Sequence, residues 1–113
     1  MKVYILDEIV VQPGRSGEYR RAFAARYMPG AERRGMRLAG AWQTPPGQDF
    51  AELATTLFYL WEVDGVEGWW SQRMSKLPDG SDERFAKLVW WQESDQMTLS
   101  RKRRVLSDQA EIA

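Results

Sequence analysis

The chain has 113 residues, sixteen basic and sixteen acidic side chains and a formal net charge of zero. It is long enough for one domain, and it has no global field to hold nucleic acid or an anionic membrane surface. It contains no cysteine and no histidine, which excludes disulfides, thiolate nucleophiles, imidazole bases and the usual ligands of zinc, copper and haem iron. Chemistry here would run on carboxylates, tyrosines, lysines or arginines, with no metal and no cofactor expected.

The first run, residues 2–11, alternates Val3, Ile5, Asp7, Ile9 and Val11 with Tyr4, Leu6, Glu8 and Val10. Both sets are largely apolar and each carries one carboxylate, the pattern of a strand covered on both sides, by helices on one and by a second sheet on the other. With Lys2, Asp7 and Glu8 among its apolar positions, the segment predicts neither a signal peptide nor a membrane span, and a cytoplasmic protein is expected. Pro13-Gly14 breaks the strand. Ser16 is the predicted N-cap of a helix with Glu18 in its first turn and an apolar stripe of Tyr19, Ala22, Phe23 and Tyr27. Pro29-Gly30 is predicted to end that helix, and a basic turn over 32–35 leads into a second strand, Met36 to Thr44, closed by Pro45-Pro46-Gly47.

Residues 45–53 read as a polar loop of the kind that often borders a site. Thr55 to Val63 is again a two-sided strand, with Leu57, Tyr59, Trp61 and Val63 on one face and Thr56, Phe58, Leu60 and Glu62 on the other. Asp64 is the predicted cap of a helix whose Val66, Trp69, Trp70, Met74 and Leu77 share a sheet-covering face, and 78–81 break it. From Asp82 a further helix is predicted on a stripe of Phe85, Leu88, Val89 and Gln92, with Trp90 and Trp91 beside that stripe or turned away from it, fraying near Met97. Leu99 to Leu106 is the fourth predicted strand. Residues 1–107 form the domain and 108–113 a tail. Two β-α units, each followed by one more strand, predict an α+β split β-α-β sandwich of ferredoxin-like kind, a four-stranded antiparallel sheet with helices on one face.

Three stretches, VYILDEIVVQPGRSGEYRRAF, GMRLAGAWQTPPG and LFYLWEVDG, together resemble the NIPSNAP-type branch of the dimeric α+β barrel superfamily. The likeness covers nearly the whole chain. It is carried by Val3-Tyr4, Pro13-Gly14, Tyr19, Gly40 with Trp42, and Trp61 followed by Asp64. The resemblance implies a homodimer. The superfamily includes cofactor-independent monooxygenases, isomerases, lyases and cyclases acting on aromatic or polycyclic compounds, haem enzymes, and many members with no assigned activity. It also implies that Asp7, the polar residue midway along the first strand, points under the helices. Where relatives often carry a histidine two residues before the strand tryptophan this chain has Tyr59, and where the related monooxygenases use an asparagine it has Leu57. Histidine-dependent, haem and oxygenase mechanisms are therefore not carried over.

Under the helices and beside Tyr59 and Trp61, the Asp7 carboxylate would be partly desolvated and so a better proton acceptor, while Tyr59 could hydrogen-bond an oxyanion or relay a proton. The alternative is that Asp7 pairs with a strand-borne arginine and Tyr59 packs. Six tryptophans either fill the sheet-helix interface and a dimer contact or also line a pocket. Trp61, Trp42, Tyr27, Trp69, Trp70 and Arg73 are the expected substrate-binding residues, Arg73 either stacking on an indole or reaching the pocket mouth. The run Arg101-Lys102-Arg103-Arg104 points two members to each sheet face, as a solvated edge or with one pair reaching an anionic group. The sequence thus reads as a cofactor-independent lyase or isomerase acting on a hydrophobic aromatic small molecule with Asp7 and Tyr59 as catalytic pair. The alternative is a non-catalytic small-molecule-binding or interaction protein on the same dimeric scaffold.

Overall fold

The alternating first run becomes a central strand. In the computed structural model, which describes residues 2–47, 49–75 and 83–109, β1 (Val3–Val11) lies between β3 (Thr55–Val63) and β4 (Thr98–Ser107). β2 (Arg37–Thr44) closes the far edge, so the order is β2-β3-β1-β4 with every neighbouring pair antiparallel. β1 and β2 run parallel with β3 inserted between them, which is the split β-α-β arrangement of a ferredoxin-like sheet.

The odd-numbered residues of β1 and β3 are buried and the even-numbered ones half-buried. Ile5, Ile9, Leu57 and Trp61 form the core floor, under Tyr19, Phe23 and Tyr27 from the first helical segment and Trp90 from the last. The opposite face presents Tyr4, Leu6, Val10, Phe58 and Leu60. The shortest extent of the molecule is 18 Å, the thickness of one sheet and one helical layer, so the second sheet that this face calls for is not supplied by the described residues.

The helices depart from the sequence reading in four places. α1 (Ser16–Ala22) starts at Ser16, whose hydroxyl caps nothing; the Gly17 N–H instead donates to both carboxylate oxygens of Asp49, at 2.8 and 2.9 Å. The polar loop thereby supplies the cap, and it is tied down further by the Gly14 N–H donating to the Phe50 carbonyl at 2.7 Å. Pro29-Gly30 does not end the helix. A π-helical turn over Phe23–Tyr27 closes with the Met28 N–H donating to the Phe23 carbonyl, and α2 (Met28–Arg33) continues beyond it. Pro29 falls in the first turn of α2, where a missing N–H costs little.

α3 (Gly65–Arg73) does begin after Asp64, but the Asp64 carboxylate accepts from Arg37 at 3.0 Å and makes no cap hydrogen bond. Val66, Trp70 and Met74 face outward rather than covering the sheet, while Gln72 turns inward with its amide donating to the Trp69 carbonyl at 2.9 Å. Leu77, the 78–81 break and Asp82 lie outside the described residues. In α4 (Arg84–Asp95) the expected stripe is on the wrong side: Phe85 is 78% exposed and Leu88 and Gln92 are also exposed, whereas Trp90 and Ser94 are buried. The i, i+4 pair Trp90 and Ser94 wins the inner face because the Trp90 ring packs within 6.2 Å of Tyr19, Phe23 and Tyr27, a larger apolar contact than Phe85 and Leu88 would make one turn earlier.

Candidate functional site

Asp7 sits midway along β1, opposite Tyr59 on β3 and Arg103 on β4. Shared parity puts all three on the helix-facing side, and Asp7 is 3% exposed there. Its carboxylate accepts three hydrogen bonds. Arg103 Nε donates to Oδ1 at 2.6 Å and Nη2 to Oδ2 at 2.9 Å, while the Trp61 indole N–H donates to Oδ2 at 3.2 Å. Arg103 Nη2 also donates to the Tyr27 hydroxyl at 3.1 Å. A bidentate guanidinium with an indole donor is the set of partners that makes a buried carboxylate tolerable. Burial works against the Arg103 charge, but the hydrogen bonds from Arg103 to Asp7 and Tyr27 outweigh it and hold its pKa above the ordinary arginine value.

Tyr59 is a cross-strand neighbour of Asp7, yet the two share no hydrogen bond. Its ring stacks on Phe23 at 4.2 Å with 15° between planes, and burial, reinforced by Asp7 and opposed by Arg20, pushes its hydroxyl up to about 12. Burial likewise raises the Tyr19 hydroxyl, which has no hydrogen-bond partner among the described residues. The Trp90 indole N–H is also buried without an acceptor among them, unlike that of Trp61.

Above Asp7 a groove of about 120 Å³ opens between α4 and β4, lined by Asp7, Ile9, Trp91, Arg101, Lys102 and Arg103. The Trp91 ring is met by two guanidiniums, Arg101 at 4.3 Å and Arg103 at 5.5 Å from its centre, both within cation–π range. Arg101 Nε donates to Asp95 at 2.9 Å in an exposed pair. Lys102 pairs across with Glu8 and by alternation directs its side chain to the other sheet face. The groove therefore combines the edge of an indole, an aliphatic floor at Ile9 and two cationic planes. Among the described residues, no group of three or more acidic side chains converges to hold a metal ion.

The fold matches solved structures over nearly its whole length. A NIPSNAP family protein from Agrobacterium tumefaciens superposes with a TM-score of 0.67 at 13% identity, covering 96% of this chain and 94% of that one. A NIPSNAP domain protein from Burkholderia xenovorans gives a TM-score of 0.64 at 14% identity over 100% and 99% of the two chains. The chain has the NIPSNAP fold. No family model matches the sequence, and no curated protein matches it. A second NIPSNAP protein from Agrobacterium tumefaciens, described as of unknown function, has a TM-score of 0.64 at 10% identity, covering 93% of this chain and 86% of that one.

On this NIPSNAP fold the expected site residues separate into three places. Tyr27 and Trp61 join Asp7, but they are buried behind the Asp7–Arg103 pair and hold it rather than line the groove. Trp42 is on the opposite side of the sheet, 57% exposed. A bulge at Ala39 resets the alternation of β2, so that Gly40 and Trp42 face outward with Leu60 and Phe58, and the indole lies so closely over Gly40 that a Cβ there would come within 2.2 Å of it. Trp69 lines a separate apolar depression of about 200 Å³ with Val3, Val66, Val105 and Leu106. Trp70 packs against Trp69, and Arg73 stacks on Trp69 at 5.8 Å instead of reaching the groove. Trp91, Arg101 and Arg103 were not named as site residues from the sequence. The signal was the basic run in a strand, whose two faces sequence alone does not distinguish.

Among the described residues no helix is long and apolar enough to cross a membrane.

Proposed function

We propose that the chain is a small-molecule-binding protein whose site is the groove between α4 and β4, and that it acts as a homodimer joined through the open sheet face. The observation that carries this reading is the groove itself: Trp91 and Ile9 supply apolar walls, and Arg101 and Arg103 supply cationic planes above a satisfied floor. A closed cavity of roughly 150 Å³ takes one benzene ring, so a groove of about 120 Å³ suits a one-ring aromatic compound. The dimer reading rests on Leu6, Val10, Phe58 and Leu60, an apolar set that a single-layer sheet would leave in water.

A catalytic reading is favoured by one observation: a buried carboxylate forms the floor of the groove, beside a tyrosine whose hydroxyl stays protonated up to about 12. Asp7 would become a stronger proton acceptor once a ligand draws Arg103 from it, because the bidentate guanidinium neutralises the carboxylate and occupies a lone pair on each oxygen. A lyase or isomerase step would then begin with an exchange of partners at Arg103.

Ligand-observed NMR with a panel of one-ring and two-ring aromatic compounds tests the binding reading. One-ring compounds should bind and Trp91→Ala should abolish the signal. Binding that ignores Trp91, or a preference for two-ring compounds, overturns the assignment of the groove. The catalytic reading predicts exchange of ligand C–H hydrogens with heavy water, absent in Asp7→Asn.

A further inference from the structure

We infer that the groove between α4 and β4 selects an aromatic monocarboxylate of one ring, with Arg101 as the residue that anchors its carboxylate; this rests on the groove being the ligand site. The argument is an inventory of donors and acceptors. Asp7 is a poor acceptor for a ligand, since Oδ1 accepts from Arg103 and Oδ2 from both Arg103 and Trp61, leaving one lone pair on Oδ1 of a carboxylate that the bidentate guanidinium already neutralises. On the donor side, among the described residues Arg103 uses Nε and Nη2 but not Nη1, and Arg101 uses Nε alone, leaving both of its Nη groups without a hydrogen bond there. The groove thus holds three unspent guanidinium nitrogens. Asp95, at the exposed rim, is the described acidic residue that pairs with Arg101.

Charge alone would not choose an anion, because Arg103 balances Asp7 and Arg101 balances Asp95. Geometry does. The Asp7–Arg103 pair is bidentate with its carboxylate buried, so it will not open for a weak competitor. The Arg101–Asp95 pair is a single hydrogen bond between side chains 41% and 52% exposed, the type of ion pair worth little in water. A ligand carboxylate can take the two free Nη groups of Arg101 in the parallel fork geometry that guanidinium favours. Its ring then lies along Ile9 and the edge of Trp91, whose face is already covered by the guanidiniums. An ammonium group would face the same two guanidiniums with no free carboxylate inside the groove, and would be repelled.

Calorimetric titration of the full chain with benzoate, benzyl alcohol and benzylamine, three probes of nearly one shape, tests the inference. Benzoate should bind about tenfold or more tighter than benzyl alcohol, the scale of one charge-assisted hydrogen-bonded pair, and benzylamine should be weakest. Arg101→Gln should abolish the preference for benzoate over benzyl alcohol. Asp95→Asn, which removes the competitor for Arg101, should tighten benzoate by about twofold to fivefold. Benzoate should shift the indole N–H resonance of Trp91 and not that of Trp69. Equal binding of benzoate and benzyl alcohol, or benzoate binding indifferent to Arg101→Gln, overturns the anion inference and leaves the groove as a site for neutral rings. If none of the three binds, or if Trp69 alone responds, the groove reading falls together with the inference.

Discussion

Removing either partner of the Asp7–Arg103 pair should destabilise the fold, but by unequal amounts, because the partner left behind is buried in one case and near water in the other. Arg103→Met leaves a carboxylate whose side chain is 4% exposed with the Trp61 N–H as its remaining donor. An uncompensated buried charge of this kind costs about 3–5 kcal/mol. Asp7→Asn instead leaves a guanidinium that is 31% exposed and can turn toward solvent, while the Asn carbonyl still accepts from Trp61. That loss is nearer the cost of weakened charged hydrogen bonds, about 1–2 kcal/mol. The double variant Asp7→Asn/Arg103→Met carries no lone buried charge and should be more stable than Arg103→Met alone. Urea unfolding followed by tryptophan emission, with unchanged slopes across the cycle, measures all three. An Arg103→Met cost below about 1 kcal/mol, or a double variant no more stable than that single one, would refute the claim that Arg103 compensates a buried charge.

Three further outcomes follow from other parts of the molecule. Asp49→Ala should cost about 1 kcal/mol by uncapping α1, and Gly17→Ala should cost a similar amount without adding to it, since a Cβ at Gly17 would lie 2.6 Å from the Asp49 carboxylate; fully additive losses in thermal unfolding would count against a shared cap. The Tyr59 hydroxyl is raised by burial to about 12 from an unfolded value near 10, so the stabilisation from keeping it protonated is complete below about pH 10 and is lost as pH rises through about 12. Tyr59→Phe should make that alkaline loss shallower, the remainder coming from the buried Tyr19 hydroxyl, and a loss as steep in the variant as in the wild type would show that Tyr59 does not contribute. Leu60→Asp should shift the protein toward monomer in sedimentation equilibrium at micromolar concentration, whereas a wild-type chain that is already monomeric there would remove the dimer proposal.

The sequence by itself determined the layers. Strand alternation in 3–11 and 55–63, turn residues at Pro13-Gly14 and the stripe from Tyr19 to Tyr27 are local patterns, each readable from a few neighbouring residues, and they specify a ferredoxin-like α+β chain; alternation alone puts one carboxylate on each face of the first strand, and only the family resemblance assigned Asp7 to the helix side. Both fates of Asp7 were visible too, proton acceptor or partner of a strand-borne arginine, but the choice depended on register. Arg103 reaches Asp7 only because β4 pairs with β1 so that residue 103 stands opposite residue 7, and a slip of one position would have sent Arg103 to the other face and Lys102 or Arg104 inward.

The same dependence on tertiary structure explains the displaced tryptophans. Trp42 moved to the open face through one bulged residue at Ala39, an event with no strong local signature next to Gly40. On α4, Phe85 and Leu88 look as suited to a core as Trp90 by hydrophobicity, and only the ring contacts with Tyr19, Phe23 and Tyr27 decide which side turns inward. Trp91 is carried with Trp90 to the margin of that buried face, where Arg101 can cover it. Helix identity was local information, whereas helix rotation was set by what the sheet and the other helices left to be filled.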